Sequence, residues 1–233
     1  MPWKRPHAEE HLSFRANWLR AGVLGANDGI LSTSSMVLGV AASGASRSAI
    51  VTAGISGLVA GAGSMAAGEY VSVSSQRDTE DADLRLEARE LADDPEGELA
   101  ELTAIYEARG LDSELALEVA GALMAHDALQ AHARDELGLP EERRARPLQA
   151  AGASALSFAV GAILPLLAIG LFGSGIRIGA CVVVTILALA GLGALGARLG
   201  GAPEMPAVLR VVFWGAVAMG ATAAIGVLVG SAV

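Results

Sequence analysis

Apolar residues are concentrated in five long runs separated by polar segments. The runs are residues 18–42, 49–73, 148–172, 176–199 and 207–229, and a charged block, residues 76–146, separates the second run from the third. Each run is long enough to cross the hydrocarbon core of a bilayer as a helix, which takes about 20 residues. The pattern predicts an all-α membrane protein with five transmembrane helices.

The charged block is predicted to be helical rather than disordered, because its apolar residues recur at helical spacing. No proline or glycine interrupts the chain between Gly68 and Asp94, so the second run is predicted to continue as one helix to about residue 93. Asp94-Pro95 supplies an N-cap and a first-turn proline for a helix ending at Gly110. A further helix is predicted from residue 112 or 113 to residue 137.

The composition agrees with a membrane protein, and the net negative charge arises in the block between the second and third runs. The 233 residues are 53% hydrophobic, and the net charge of −9 arises in the block, which has 20 Asp and Glu against 8 Arg. An acidic polar domain disfavours nucleic-acid binding, and the chain has no phosphate-binding loop for a nucleotide-driven pump. The single cysteine, Cys181, lies in the fourth run and is predicted to be a buried small apolar residue.

Lysine and arginine placement predicts the orientation. With the N-terminus in the cytosol, the cytosolic segments hold 14 basic residues and the outer loops hold two, Arg47 and Arg177. Positive residues favour the cytosolic side of a membrane. We therefore predict a multi-pass protein of the cell membrane, with the N-terminus and the acidic block cytosolic and the C-terminus outside.

Asp28 lies inside the first run, between Asn27 and Gly29. A helix that began after Gly29 would keep about 13 residues, roughly 20 Å, which is too short to span. The helix must therefore start near Trp18, which puts Asp28 about 15 Å into the bilayer. A charge at that depth costs roughly 2.5–3.5 kcal/mol on insertion scales, so we predict a functional role for it.

The second run adds two side chains to this path. Met65 and Glu69 are four residues apart, so they share one helix face. Glu69 lies near the cytosolic end, where a role as an interfacial anchor is the alternative. Gly57-x-x-x-Gly61 permits close approach of another helix or of a second subunit.

Carboxylates in the acidic block fall beside its predicted apolar stripes. On the last helix that stripe includes Leu115 and His126, with His126 as a core histidine. Oxygen ligands with one imidazole suit Fe²⁺, Mn²⁺ or Mg²⁺ more than Cu⁺. The alternative is that acidic helices simply have solvated acidic edges. The predicted metal ligands are Glu87, Glu90, Glu98, Glu101, His132 and Glu136.

Three strings give a resemblance: NDGILSTSSMVLGV, GLVAGAGSMAAGEYVSVSSQRDTE and DELGLP. Over nearly its whole length the chain resembles the vacuolar iron transporter family, in its bacterial, nodulin-like branch. The resemblance implies a homodimeric exporter of cytosolic Fe²⁺, often also of Mn²⁺, driven by counter-movement of protons. It implies a path at the dimer interface lined by Asp28 and Met65, and metal collection by the five glutamates just named. The histidine is a departure.

Two departures from the plant members stand out. An acidic residue precedes the path methionine by two turns in those proteins, and Gly57 takes its place here. A methionine pair precedes the last glutamate there, and His132 and Ala133 stand at those positions. An imidazole in place of a thioether gives a harder metal site.

We therefore predict three parts: residues 1–75, the N-terminal segment with transmembrane helices one and two; residues 76–146, a cytosolic acidic metal-binding domain; and residues 147–233, transmembrane helices three to five. The predicted function is proton-coupled export of divalent iron, and of manganese, by a protein of the bilayer that is not an enzyme and carries no cofactor. The alternatives are a membrane-anchored metal buffer or sensor, and a membrane-tethered ferroxidase. The second lacks the Glu-x-x-His spacing of ferritin-like sites.

Overall fold

The computed structural model describes residues 12–139, 145–173 and 175–232, with side-chain surroundings from residue 22 onward. Within these ranges the chain forms seven α-helices and no strand. The helices are α1 (Leu12–Ala42), α2 (Arg47–Asp93), α3 (Pro95–Ala108), α4 (Ser113–Asp135), α5 (Pro147–Leu171), α6 (Arg177–Leu199) and α7 (Glu204–Ala232). The all-α fold predicted from the sequence is confirmed over this part of the chain.

Four helices, α2, α5, α6 and α7, are long and apolar enough to cross a membrane. They support a multi-pass membrane protein. The first predicted span is not among them, although α1 is 31 residues long. Asn27, Asp28 and the hydroxyl residues 32–35 make α1 more polar than the apolar stretches of these four helices. The assignment of α1 as a fifth span therefore remains a prediction.

The local signals in the acidic block gave the helix starts correctly. Residues 47–93 form one continuous helix. The Asp94 carboxylate accepts a hydrogen bond from the Gly97 amide at 3.0 Å, which starts α3 at Pro95. After α3 the chain turns at Gly110, whose φ of +100° favours glycine. Asp112 caps α4 in the same way, through the Leu115 amide.

Contacts divide the chain into two compact units. The membrane unit comprises residues up to 69 and from 149 onward, and the acidic unit comprises residues 70–148. These boundaries differ by a few residues from those predicted at positions 76 and 146. Helix α2 contributes its first half to the membrane unit and its second half to the acidic unit.

In the membrane unit α1 packs against α6 and α7, and these two pack against each other. Val37, Ile50, Ile169 and Cys181 are fully buried in its core; the buried state predicted for the cysteine is confirmed. Bulkier side chains are kept out where helix backbones approach closely. Gly226 of α7 lies on the α1 carbonyl of residue 39, and two such contacts join α1 to α5.

Gly29 is the tightest of the contacts between α1 and α5. A Cβ atom there would collide with the carbonyl oxygen of Phe158, which is backbone and cannot move alone. We expect Gly29→Ala to destabilise the membrane unit by about 1–3 kcal/mol, because the two helices must separate. Thermal unfolding of the protein in detergent measures this. Gly63→Ala is the control, since the space around that glycine is open; an equal loss in both variants would contradict this packing.

The acidic unit has a small core in which Leu102 of α3 packs against Ala120 and Ala131 of α4. Residues 99, 105 and 106 of α3 and residues 123 and 124 of α4 pack against this core. The unit is therefore a folded helical body rather than a charged tail.

The predicted stripe of α4 is wrong in its first half. Leu115 is 42% exposed and His126 is exposed, so the histidine is not a core residue. Asp127, at φ −161° and ψ 95°, interrupts the helix, and its carboxylate accepts a hydrogen bond from the Gln130 amide at 2.9 Å. A new helical segment therefore begins at Asp127, and the face that packs inward shifts there. The helix ends at Asp135, two residues before the predicted end.

Candidate metal centre

Three helices of the acidic unit bring four metal-ligating side chains together. Glu87 comes from α2 and Glu98 from the first turn of α3, while His132 and Glu136 come from the second segment of α4 and its C-cap. One ligand atom from each lies within 4.8 Å of the other three. The turn at residues 94–95 folds α3 back from α2, and the core around Leu102 holds α4 against α3.

The imidazole of His132 is the centre of the group. Its Nδ1 atom lies 2.9 Å from Glu87 Oε1, 2.9 Å from Glu136 Oε2 and 3.5 Å from Glu98 Oε2. His132 is fully buried, Glu87 is 3% exposed and Glu98 is 9% exposed. The side chain of Glu136 is 27% exposed and forms the open side of the site.

Two buried atoms in this group lack a hydrogen-bond partner among the described residues: Glu87 Oε1 and His132 Nε2. An unpaired buried polar atom costs free energy, and so do three carboxylates that face one another. Burial, followed by the charge of Glu136, raises the pKa of Glu87 to about 7. Burial also raises the pKa of Glu98, against the opposing effect of His132. The site therefore lacks positive charge, which a cation would supply.

The donor set suits one divalent transition-metal ion. Ligand atoms at about 2.0–2.2 Å from an ion lie roughly 3–4 Å from one another, and four atoms within 4.8 Å are close to that spacing. Carboxylate oxygens with a single imidazole are hard to borderline donors, which suit Fe²⁺, Mn²⁺, Co²⁺ or Zn²⁺.

The other two predicted ligands lie outside this group. Glu90 and Glu101 are exposed. Each is three residues from a buried ligand, and their charges contribute to the raised pKa values of Glu87 and Glu98 respectively. Glu90 and Glu101 therefore add negative charge near the site but are not among its four ligands.

The predicted path residues belong to the membrane unit. Asp28 on α1 is half-buried, and Asn27 beside it has a buried Oδ1 atom with no hydrogen-bond partner among the described residues. Met65 and Glu69 on α2 are both half-buried. Within the described part of the chain, no hydrogen bond or ion pair links Asp28 to either of them.

The space next to Gly57, the first of the two predicted departures from the resembled family, is filled by methionine. A Cβ atom on Gly57 would lie 2.6 Å from Sδ and 2.7 Å from Cε of Met36, a flexible side chain of α1. A larger residue at position 57 therefore requires Met36 to move. A thioether occupies that place here.

A structural ion cluster next to the metal site was not predicted. The Asp135 carboxylate accepts hydrogen bonds from Tyr106 Oη at 2.8 Å, Arg109 Nη1 at 2.6 Å and Arg134 Nη2 at 2.7 Å. It thereby fastens the end of α3 to the end of α4, where His132 and Glu136 lie. Sequence spacing carries no signal for it, because only helix packing brings the pair Tyr106 and Arg109 to the pair Arg134 and Asp135.

We expect Asp135 to stabilise the acidic unit at neutral pH. Burial opposes its ionisation, but the hydrogen bonds from Arg134, Arg109 and Tyr106 outweigh burial and lower its pKa from 3.8 to about 2. Since the pKa is lower in the folded state, the contribution is complete well above pH 4 and is lost as the pH falls through 2. It amounts to about 2 kcal/mol.

Hydrogen exchange of the α3 and α4 amides in the full-length protein tests this. At pH 7 we expect Asp135→Asn to exchange faster through local opening, by the factor that corresponds to about 2 kcal/mol. At pH 3 the difference between the variant and the wild type should shrink to about half. A difference that is independent of pH would contradict an ionic role.

Comparisons with known proteins agree with the geometry. The model of the VIT family matches residues 19–227. A vacuolar iron transporter of Acanthamoeba castellanii is 48% identical over 218 residues, which cover 91% of this chain and 79% of the relative. Vacuolar iron transporter homolog 5 of Oryza sativa subsp. japonica is 41% identical over 215 residues, covering 92% of this chain and 81% of the relative. The resemblance read from the sequence is confirmed, and the chain belongs to the VIT family.

Proposed function

We propose that this protein is a transporter that exports Fe²⁺, and also Mn²⁺, from the cytosol in exchange for protons. The observation that carries the proposal is the group of three carboxylates, two of them buried, around one buried imidazole in the acidic unit. Membership of the VIT family, whose compared relatives are named iron transporters, supports a metal ion as the cargo. The group collects the ion, and the membrane unit moves it.

Burial of the ligands supports capture rather than a solvated acidic surface. Carboxylates on a solvated helix edge stay exposed, whereas Glu87 and Glu98 are almost completely removed from solvent. A bound ion exchanges most of its water for protein ligands and pairs charges that otherwise repel. Exposed Glu90 and Glu101 add negative potential around the entrance and attract cations to it.

In the membrane unit we assign the central role to Asp28. We treat α1 as the fifth span, since α5, α6 and α7, which it contacts, are membrane helices in this assignment. A carboxylate in such a helix is expensive unless it faces a path or a partner. Asp28 binds the metal ion and protons in alternation, and Met65 provides a weak, soft contact. Glu69 guides ions into the path from the cytosolic side.

Orientation and assembly complete the proposal. The basic residues favour a cytosolic N-terminus and a cytosolic acidic unit, with export across the cell membrane. Much of the apolar surface of α2 is exposed in the single chain, including Ile55 and Val59. A second copy of the chain would cover such a face, which is consistent with a homodimer.

A ferroxidase is less well supported than a transporter. Ferritin-like di-iron centres use two glutamates and two Glu-x-x-His pairs, which is six ligands. The described residues bring together four ligands, including one histidine. That number fits one ion rather than two.

Flux into proteoliposomes tests the proposal. Purified protein is reconstituted, Fe²⁺ or Mn²⁺ is added outside, and metal uptake and internal pH are recorded together. We expect uptake that is accelerated by an acidic lumen and accompanied by proton efflux. Metal binding without any flux would instead identify a buffer or sensor, and flux that ignores the pH gradient would contradict proton exchange.

A further inference from the structure

His132 is more deeply buried than any other ligand of the metal centre, and its ring orientation is defined. The side chain has no exposed surface, and Nδ1 faces all three carboxylates. The opposite ring atom, Nε2, is buried without a hydrogen-bond partner among the described residues. Nδ1 is therefore the atom that contributes to the site.

Three carboxylates without this nitrogen would form a site that favours Ca²⁺ and Mg²⁺ over the proposed cargo ions. An all-oxygen set of that charge is what Ca²⁺ and Mg²⁺ prefer. An imidazole nitrogen favours Fe²⁺, Co²⁺ and Zn²⁺, while Mg²⁺ and Ca²⁺ bind nitrogen donors poorly. Burial adds to this, because Mg²⁺ gives up its water shell reluctantly and the site encloses its ligands.

We propose that His132 is the specificity-determining residue of the centre, and that its Nδ1 selects first-row transition ions over Mg²⁺ and Ca²⁺. This rests on the proposed function in that it assigns the cargo class of the same site. In this proposal the carboxylates supply the negative charge that binds a cation, and the imidazole nitrogen supplies the selectivity for transition ions over Mg²⁺ and Ca²⁺.

The matched variant is His132→Asn. The Asn Oδ1 atom can take the position of Nδ1, so that an oxygen donor replaces a nitrogen donor with little change in buried volume. His126→Asn is the control, because His126 lies on the same helix, is exposed and is outside the centre. Both are made in the full-length protein and are checked for folding by circular dichroism and elution volume.

Two readouts are used on protein in detergent. The first is the Mg²⁺ concentration that displaces bound Co²⁺, followed by the visible absorption of Co²⁺. We expect His132→Asn to lower the selectivity for Co²⁺ over Mg²⁺ at least about 10-fold, and His126→Asn to leave it unchanged. The second is the nitrogen modulation in the pulsed electron paramagnetic resonance of bound Mn²⁺, expected in the wild type and in His126→Asn and absent in His132→Asn.

Unchanged selectivity in a folded His132→Asn protein would overturn the proposal. Absence of nitrogen modulation in the wild type would overturn it as well, and this result does not depend on whether the variant folds. Both readouts measure binding alone. A wild-type protein that shows no proton-coupled flux but still selects Co²⁺ over Mg²⁺ through His132 would therefore contradict the transport function alone. The proposed role of His132 would stand.

Discussion

Asp28→Asn is expected to reduce metal flux into proteoliposomes by at least about 100-fold. The substitution keeps the shape of the side chain and removes the charge that pairs with a divalent ion inside the membrane unit. Leaving one member of a buried ion pair without its partner costs about 3–5 kcal/mol, and each 1.4 kcal/mol is a factor of ten. Flux of Fe²⁺ at saturating concentration is the measurement.

Binding at the acidic unit should be unchanged in this variant, because Asp28 and the four ligands belong to different units. Asp83→Asn is the control, since Asp83 is an exposed carboxylate on α2. Flux close to the wild-type value in Asp28→Asn would remove this residue from the path. Equal losses in both variants would point to a general effect of charge.

Glu87→Gln is expected to weaken metal binding at the acidic unit by about 10–100-fold. Glu87 is 3% exposed and contributes Oε1, the carboxylate atom that lies 2.9 Å from His132 Nδ1. Glutamine keeps the volume but removes one negative charge from the buried donor set, which strongly destabilises a bound cation. Titration of the detergent-solubilised protein with Co²⁺ measures the affinity.

The neighbouring exposed glutamates provide matched controls for this prediction. Glu90→Gln on α2 and Glu101→Gln on α3 each lie three residues from a buried ligand, and both should cost less than about 3-fold, since exposed charges are screened. In transport, Glu87→Gln should raise the KM for metal and leave the maximal rate nearly unchanged. Comparable losses for Glu87→Gln and Glu90→Gln would show that the acidic unit acts only as a charged surface.

Local signals predicted much of the acidic unit from the sequence. The Asp94 cap, the following proline and the absence of helix breakers before residue 94 gave the ends of α2 and α3 nearly to the residue. These features act within one turn of the chain, so no knowledge of packing is needed.

Features that depend on packing could not be predicted in the same way. The helical spacing put Glu87 at the edge of the apolar stripe. In the structure Glu87 is buried, and His132 of α4 packs against its carboxylate. The interruption at Asp127 changed which face of α4 points inward. Its local signal was present, because Asp127-x-x-Gln130 has the spacing of a helix N-cap with a polar partner. This N-cap signal was missed because the apolar residues of α4 were interpreted as one continuous helical stripe.

The membrane helices show the limit of hydropathy. Four helices are apolar enough to be recognised as candidate spans by composition, whereas α1 carries the polar residues of the proposed path and is not. The polar residues that α1 needs for the proposed path lower its mean hydropathy, so the same helix is harder to recognise as a span. The sequence predicted a span here from the apolar run at residues 18–42 and placed Asp28 within it by helix length, whereas α1 does not qualify as a span by hydropathy.

Anomalous X-ray scattering from crystals of the full-length protein soaked in Fe²⁺ or Mn²⁺ tests the central claim most directly. We expect one peak in each acidic unit, within coordination distance of Nδ1 of His132 and of carboxylate oxygens from Glu87, Glu98 and Glu136. An acidic unit whose only peaks lie on exposed carboxylates, with these four side chains unliganded at saturating metal, would contradict it.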